Sequence, residues 1–333
     1  MYSKILLLSF IALLFLSGCG SKQYYTPENP IASSSFTSSD EIISFSRDGA
    51  TMSSGKVLTS TEELKLNLKD GYSFINKRVG SIIVADREGN CRVIRDGKTR
   101  EAKFAKALIA GTMVGDDALV YILKDNNFGV YDFSKKSIIY NNKAEKVFSI
   151  DTRVANPIQI DNLVIIPLLN GKLSILDLKT LKISKEIFVS TESFLNNIIF
   201  LKRLKNSLIS ATPHKVIAYS NKGKREFERE ISEVILDNNE LFVFSKDGRI
   251  FRLDESLTIQ DEKKFKFAHF SVATVYKDRV YALDKQGYLI VSNKNFTKHS
   301  VYEFPEVEGY SFVSNGKLYY DGNRIDLDTL GYN

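Results

Sequence analysis

The sequence predicts an all-β chain of radially arranged, four-stranded blades, a β-propeller, on three observations. A hairpin unit of the kind seen from Glu240 to Asp254, ELFVFSKDGRIFRLD, recurs along the chain: an apolar run, a turn, a second apolar run and a closing Asp. Aligned on the turn residue, the copies fall at Gly49, Gly89, Asn126, Gly171, His214, Gly248, Gly287 and Gly322. The intervals of 40, 37, 45, 43, 34, 39 and 35 residues suit blades of four strands each. The first run of each unit is continuously apolar, as in Leu163-Val164-Ile165-Ile166 and Leu241-Phe242-Val243-Phe244. A strand apolar on both sides belongs to a sheet covered on both faces, which stacked blades provide.

Composition agrees with a large β core. The 333 residues are 43% apolar and 11% aromatic, with 16 Tyr, 22 Phe and no Trp, enough to bury a sizeable interior and weighted toward strand formers. The formal charge of +6 is spread over 46 basic and 40 acidic residues that alternate along the chain, so no basic patch points to a nucleic-acid partner. The two cysteines, Cys19 and Cys91, are placed too differently to pair. Cys91 occupies an apolar position of its repeat and reads as a small buried hydrophobe.

From the N-terminus, Lys4 precedes an apolar stretch from Ile5 to Leu16, too short to span a bilayer and typical of a secretory signal. We assign residues 1–18 to it. The stretch ends in Leu16-Ser17-Gly18-Cys19, which resembles the lipobox of bacterial lipoproteins. That resemblance implies cleavage before Cys19 and lipid attachment at Cys19, and two or three acyl chains anchor a protein stably. Gly20 and Ser21 follow where inner-membrane retention in that family calls for Asp. The family's rule therefore implies the periplasmic face of the outer membrane, with surface exposure and inner-membrane residence as alternatives. The Ser-, Thr-, Asn- and Pro-rich stretch up to Asp40 lacks apolar periodicity, so residues 19–40 read as the lipidated Cys and a flexible tether, with an end-to-end distance on the order of 25 Å. Residues 41–333 form the single propeller domain.

Within that domain the turns Arg87-Glu88-Gly89, Asp125-Asn126, Asn170-Gly171, Lys246-Asp247-Gly248 and Lys285-Gln286-Gly287 supply residues that tolerate positive φ. Six residues past the anchor stands Asp132, Asp177, Asp254 or Asp328, with Asn293 and Ser220 as polar substitutes; such side chains accept backbone N–H groups of the next turn. His214, after Thr212-Pro213, is an exposed turn residue. The end fragments, Glu41 to Lys69 and Gly309 to Asp328, merge into one blade for a total of seven or stand apart for eight, with Glu63 to Leu68 as an outer strand. Eight is preferred, the ring being closed by strands from both termini.

GKLSILDLKTLKIS (Gly171 to Ser184), VYALDKQG (Val280 to Gly287) and, more weakly, NNFGVYDFSKKSII (Asn126 to Ile139) resemble the repeat of pyrroloquinoline-quinone (PQQ)-type propellers. With the lipobox, the chain is similar to the BamB-like propeller lipoproteins of the outer-membrane β-barrel assembly machinery. The resemblance implies envelope or outer-membrane proteins as partners, and a membrane held through the N-terminal lipid. It departs from the quinoprotein enzymes in having no Trp, no adjacent Cys pair and no Cys-x-x-Cys-His, so no cofactor is expected. Neither Gly-x-Ser-x-Gly nor His-Glu-x-x-His occurs. Asp86, Glu88, Asp116 and Asp117 read as loop acids, and His214, His269 and His299 lack metal-ligand spacing. The expectation is a non-enzymatic, protein-binding envelope scaffold. The alternative is a carbohydrate-active or ligand-binding propeller that uses its central channel, since paired carboxylates of glycosidases leave no spacing signal.

Overall fold

The structure, a computed structural model, describes residues 23–33, 36–69, 71–147 and 150–332. Eight antiparallel sheets surround a central channel. Blade 1 comprises Ile42–Ser46, Gly49–Met52, Val57–Thr59 and Glu63–Leu64, and blade 2 Ser73–Arg78, Ser81–Ala85, Asn90–Arg95 and Lys98–Lys103. Blade 3 is Leu108–Val114, Ala118–Leu123, Asn127–Asp132 and Ser137–Lys143; blade 4 is Ile158–Ile160, Leu163–Pro167, Lys172–Asp177 and Lys182–Phe188. Blade 5 follows with Phe200–Leu204, Ser207–Ala211, Lys215–Ser220 and Gly223–Glu228, and blade 6 with Ile231–Asp237, Glu240–Ser245, Arg249–Leu253 and Ile259–Lys264. In each, the first strand lines the channel and the fourth lies on the rim. Blade 7 has Phe270–Tyr276, Arg279–Asp284, Tyr288–Asn293 and His299–Glu303, to which Ile31–Ala32 adds a fifth, parallel strand. Blade 8 has only Ser311–Ser314, Lys317–Tyr320 and Asn323–Asp326 from the C-terminal end, and Phe36–Ser38 completes it in antiparallel register.

The second strands are the driest elements. Leu241, Phe242, Val243 and Phe244 are all fully buried, because one side of the strand packs on blade 5 and the other on blade 7. The core is thus a set of seams between neighbouring blades. The seam of blades 5 and 6 holds fifteen buried apolar residues, whereas that of blades 8 and 1, where the ring closes, holds five: Ile42, Ala50, Met52, Leu58 and Tyr319. The closing joint is therefore far less packed than the seam of blades 5 and 6. Phe104, Phe265 and Phe304, each just past a rim strand, are buried in the seams and supply aromatic packing in a chain without Trp.

The recurrent glycine has a geometric cause. In blades 2, 4, 6 and 7 the residue after the rim strand donates its N–H to the anchor carbonyl: Phe104 to Gly89 at 2.9 Å, Val189 to Gly171 at 2.9 Å, Phe265 to Gly248 at 2.8 Å and Phe304 to Gly287 at 3.1 Å. That bond brings a carbonyl against the anchor's α-carbon: a Cβ on Gly287, at φ +90°, would lie 2.1 Å from the Phe304 oxygen. Asn126 takes the same conformation, at φ 67°. Its buried side chain joins blades 3 and 4 by donating to Glu145 O and accepting from Leu169 N, both at 2.8 Å.

The Asx turns are as expected at Asp132, which accepts from the N–H groups of Ser134 and Lys135, at Asp177 (Lys179 and Thr180) and at Asp254 (Ser256 and Thr258). Asn293 and Ser220 act likewise. Asp328 does not. The third strand of blade 8 ends at Asp326, which accepts from Asp328 N, while the Asp328 carboxylate pairs with Lys277 at 2.5 Å.

Two further expectations are corrected. Gly49 begins the second strand of blade 1, and the positive-φ turn that follows is at Gly55. Gly49 is required because a Cβ there would lie 2.5 Å from the Phe74 ring of blade 2. The signal 1–18 and Cys19 lie outside the described residues. Of the expected tether 19–40, however, residues 23–33 and 36–40 lie on the propeller: Tyr25 is buried, two short strands pair with blades 7 and 8, and Ser39 N donates to Gly322 O at 2.7 Å. These strands carry no apolar alternation of their own; pre-formed sheet edges template them.

Candidate functional site

The channel is braced by the first turn of blade 1. Five inner strands carry a register shift, in blades 1, 2, 3, 6 and 7, and such bulges re-aim side chains. Arg47 reaches across to Glu233 of blade 6, with Nη1 2.5 Å from Oε1 and Nη2 donating to Val234 O at 2.6 Å, and its guanidinium lies 5.3 Å from the centroid of the Phe200 ring. Asp48 accepts from Asn156 Nδ2 at 2.7 Å; the Asn156 Oδ1 in turn accepts from Gly111 N at 2.9 Å, and Asn76 donates to Gly111 O at 2.8 Å. One turn thereby ties inner strands of blades 2, 3 and 6 to the segment leading into blade 4.

Two ion pairs, Arg47–Glu233 and Asp151–Arg153, stand in the channel. Burial alone would raise the Asp151 carboxyl, but the hydrogen bonds and charge of Arg153 outweigh burial and hold it below the usual carboxylate range, the direction of an ion-pair partner rather than a general acid. Burial pushes the Lys202 ammonium down, with the Asp48 charge opposing it. Among the described residues no group of three His, Cys, Asp or Glu side chains could hold a metal. A cavity of about 830 Å³ opens at the mouth beside Arg47, Asn76, Asn156 and Lys202, large enough for a small ligand. The sequence concealed this network because Arg47 and Glu233 are 186 residues apart and the inner strands lack regular alternation.

The cross-brace predicts a coupling. Both members of the Arg47–Glu233 pair are under one-fifth exposed, so Arg47→Ala and Glu233→Ala are each expected to cost about 2 kcal/mol by leaving the other charge unpaired. Urea unfolding of the double variant should fall short of the sum by about 1 kcal/mol or more; strict additivity would show that the pair contributes nothing.

The other sequence-selected residues do not converge. His214 bonds Glu230 at 2.8 Å and Phe194 O at 2.9 Å on a half-buried turn. Asp86 accepts from Asn90, and Asp116 and Asp117 pair with Arg95 and Arg100 of blade 2. Cys91 is buried, and burial pushes its thiol up to about 12, which makes it unreactive.

The rim offers a second kind of surface. Rim strands of blades 2, 5 and 6, KTREAK, GKREFE and IQDEKK, are dense in charge, the usual protection against stray strand pairing. Blades 7 and 8 are covered by the N-terminal strands. Blade 3 differs: its seven-residue rim strand Ser137–Lys143, SIIYNNK, has no charge before Lys143, and Ile138 is 48% exposed. An uncharged, exposed edge of that length can accept an extended chain from another protein.

No protein-family model matches the chain. Over an alignment of 390 positions it is 25% identical to the plasminogen-binding protein PgbB of Helicobacter pylori strain J99, covering 99% of this chain and 72% of that protein. The PgbB of strain 26695 matches at the same identity, with 71% of that protein covered. Among solved structures, BamB from Moraxella catarrhalis aligns with a TM-score of 0.63 at 14% identity, covering 87% of this chain and 98% of that one. The C-terminal WD40 domain of Sif2 aligns at 0.61 and 11% identity, with 87% and 95% covered. The likenesses to solved structures concern the fold alone: with the eight sheets of the ring, the chain is an eight-bladed β-propeller whose architecture is similar to that of BamB.

Proposed function

We propose that this chain is a non-enzymatic envelope lipoprotein that binds other proteins at the rim of its propeller. The observation that carries the reading is its similarity, over 99% of its length, to proteins named for binding plasminogen. The geometry is compatible: the channel spends its charges on bracing the blades, while blade 3 keeps an uncharged edge. The ligand class is a folded or extended protein, plasminogen first, and anchoring is through lipid on Cys19. Plasminogen is a plasma protein, so binding it requires surface display. The finer alternative, service in outer-membrane protein assembly from the periplasmic face, is supported by likeness of fold to BamB.

The test is binding of plasminogen to the mature chain by biolayer interferometry, beside pull-down from solubilised envelopes. Saturable plasminogen binding, weakened tenfold or more by Ile138→Lys, is the expected result. Recovery of barrel proteins without plasminogen binding would move the function to assembly, and recovery of neither would reject the scaffold. For the anchor, Cys19→Ser should abolish palmitate incorporation and release the chain from membranes; unchanged retention would refute lipidation.

A further inference from the structure

We propose that the N-terminal segment straps the rim of blades 6 and 7 against an anionic lipid surface and thereby turns the open edge of blade 3 away from it. The proposal rests on the lipid anchor at Cys19. It starts from Tyr25, which is 8% exposed and sits in the crevice between those blades. Its ring stands edge-on to Phe265 (centroids 6.2 Å apart, 88° between planes) and to Tyr288 (5.8 Å, 89°). Next, Ile31 and Ala32 run parallel to Tyr302 and Glu303, and Ser33 N donates to Glu303 O at 3.3 Å. Phe36–Ser38 then joins blade 8. The segment is therefore held at three successive places.

The consequence is a short leash. Only six residue steps separate Cys19 from Tyr25, and at 3.3–3.6 Å each the chain reaches about 20 Å at most. A free tether to Asp40 would reach roughly 70 Å and impose no orientation. The leash keeps the crevice no farther than about 20 Å from the headgroups, so its charged side chains are the ones that come within a Debye length of the surface when the rim settles on it.

Those side chains suit such a surface. The groove beside the strap is lined by Lys263, Lys264 and Lys266 against a single carboxylate, Glu28. Lys264 also lies 3.5 Å from Asp247, and Lys266 stands over the Phe267 ring. Next to them Tyr24 is 48% exposed, Ile31 41% and Ile259 42%. Exposed Tyr beside Lys is the combination that settles at a membrane–water interface. In a ring of eight, blade 3 stands four blades from blade 7 in either direction, so holding one rim down presents the edge Ser137–Lys143 on the far side.

The experiment imposes the anchor instead of assuming it. The mature chain from Cys19 onward is coupled through Cys19 to maleimide lipid in vesicles of phosphatidylcholine and phosphatidylglycerol that contain a photoactivatable headgroup lipid. Buried Cys91 does not compete for the maleimide. After illumination, mass spectrometry of the cross-linked peptides should favour residues 259–266 and 298–303 over residues 137–143 by at least tenfold. Equal cross-linking of the two rims would overturn the proposal even if the native chain is lipidated, and palmitate incorporation tests lipidation separately. The variant Tyr25→Ala with Ile31→Pro should lose the preference, and an unchanged preference would show that the strap is not its cause. Lys263→Glu with Lys266→Glu, which leaves the strap intact, should lower the yield severalfold, as should vesicles of phosphatidylcholine alone; equal yields would overturn the anionic-surface partner.

Discussion

A chain that begins at Glu41 is expected to unfold at a temperature lower by roughly 10 °C or more than one that begins at Gln23, and to form oligomers. The shorter chain lacks Phe36–Ser38, so blade 8 is left with three strands. It also loses the Ser39-to-Gly322 bond and the fifth strand of blade 7. The joint that must then hold the ring is the seam with five buried apolar residues. A few kcal/mol lost there shifts the melting temperature of a domain this size by roughly 1.5 °C per kcal/mol, and loss of ring cooperativity supplies the rest. The bared strand Asn323–Asp326 is a template for pairing with another molecule. A chain that starts at Phe36 keeps the closing strand and should melt between the two. Scanning calorimetry and light scattering decide the matter: equal melting temperatures for the chains from Gln23 and Glu41 would mean that closure resides in the seam alone.

The second large effect is expected at the anchor turn. Gly287→Ala should destabilise by about 3–5 kcal/mol, because it combines a left-handed backbone with a clash that only main-chain movement can relieve. Its φ is +90°, and the Cβ would meet the carbonyl oxygens of Phe304 at 2.1 Å and Pro305 at 2.6 Å. Gly80→Ala is the control. It has φ +74° but nothing within 4 Å, so only the conformational penalty of about 1 kcal/mol remains. Equal losses in denaturant unfolding would show that the close approach of the rim-strand carbonyl does not matter.

Legibility in the sequence followed how each part is stabilised. Strands such as Leu241–Phe244 were plain because two neighbouring blades cover them, which demands apolar residues at every position. The anchor turns were plain because backbone crowding demands Gly or, at Asn126, a residue that tolerates positive φ. The misplacement at Gly49 has the same root: a glycine required by the Phe74 ring looks in sequence like one required by a turn. Asp328 was mistaken because blade 8 has a four-residue third strand, which brings its Asx turn forward to Asp326. The channel could not be read. Arg47, Asp48, Asn156 and Glu233 have meaning only once the ring is closed. Nor could the strap, since Tyr25 in a Ser- and Pro-rich stretch carries no periodicity and its partners, Phe265 and Tyr288, lie some 240 residues or more away.

The pairing of Phe36–Ser38 with Asn323–Asp326 bears on biogenesis. One of the first two strands to leave the ribosome finds its partner in the last, Asn323–Asp326, so nearly the whole polypeptide must be made before the circle can form. Until then an unsatisfied ladder waits at each end, and contacts of such long sequence separation form slowly. A chaperone that shields residues 31–38 during this interval should therefore raise the yield of native protein more than one that acts on the middle blades.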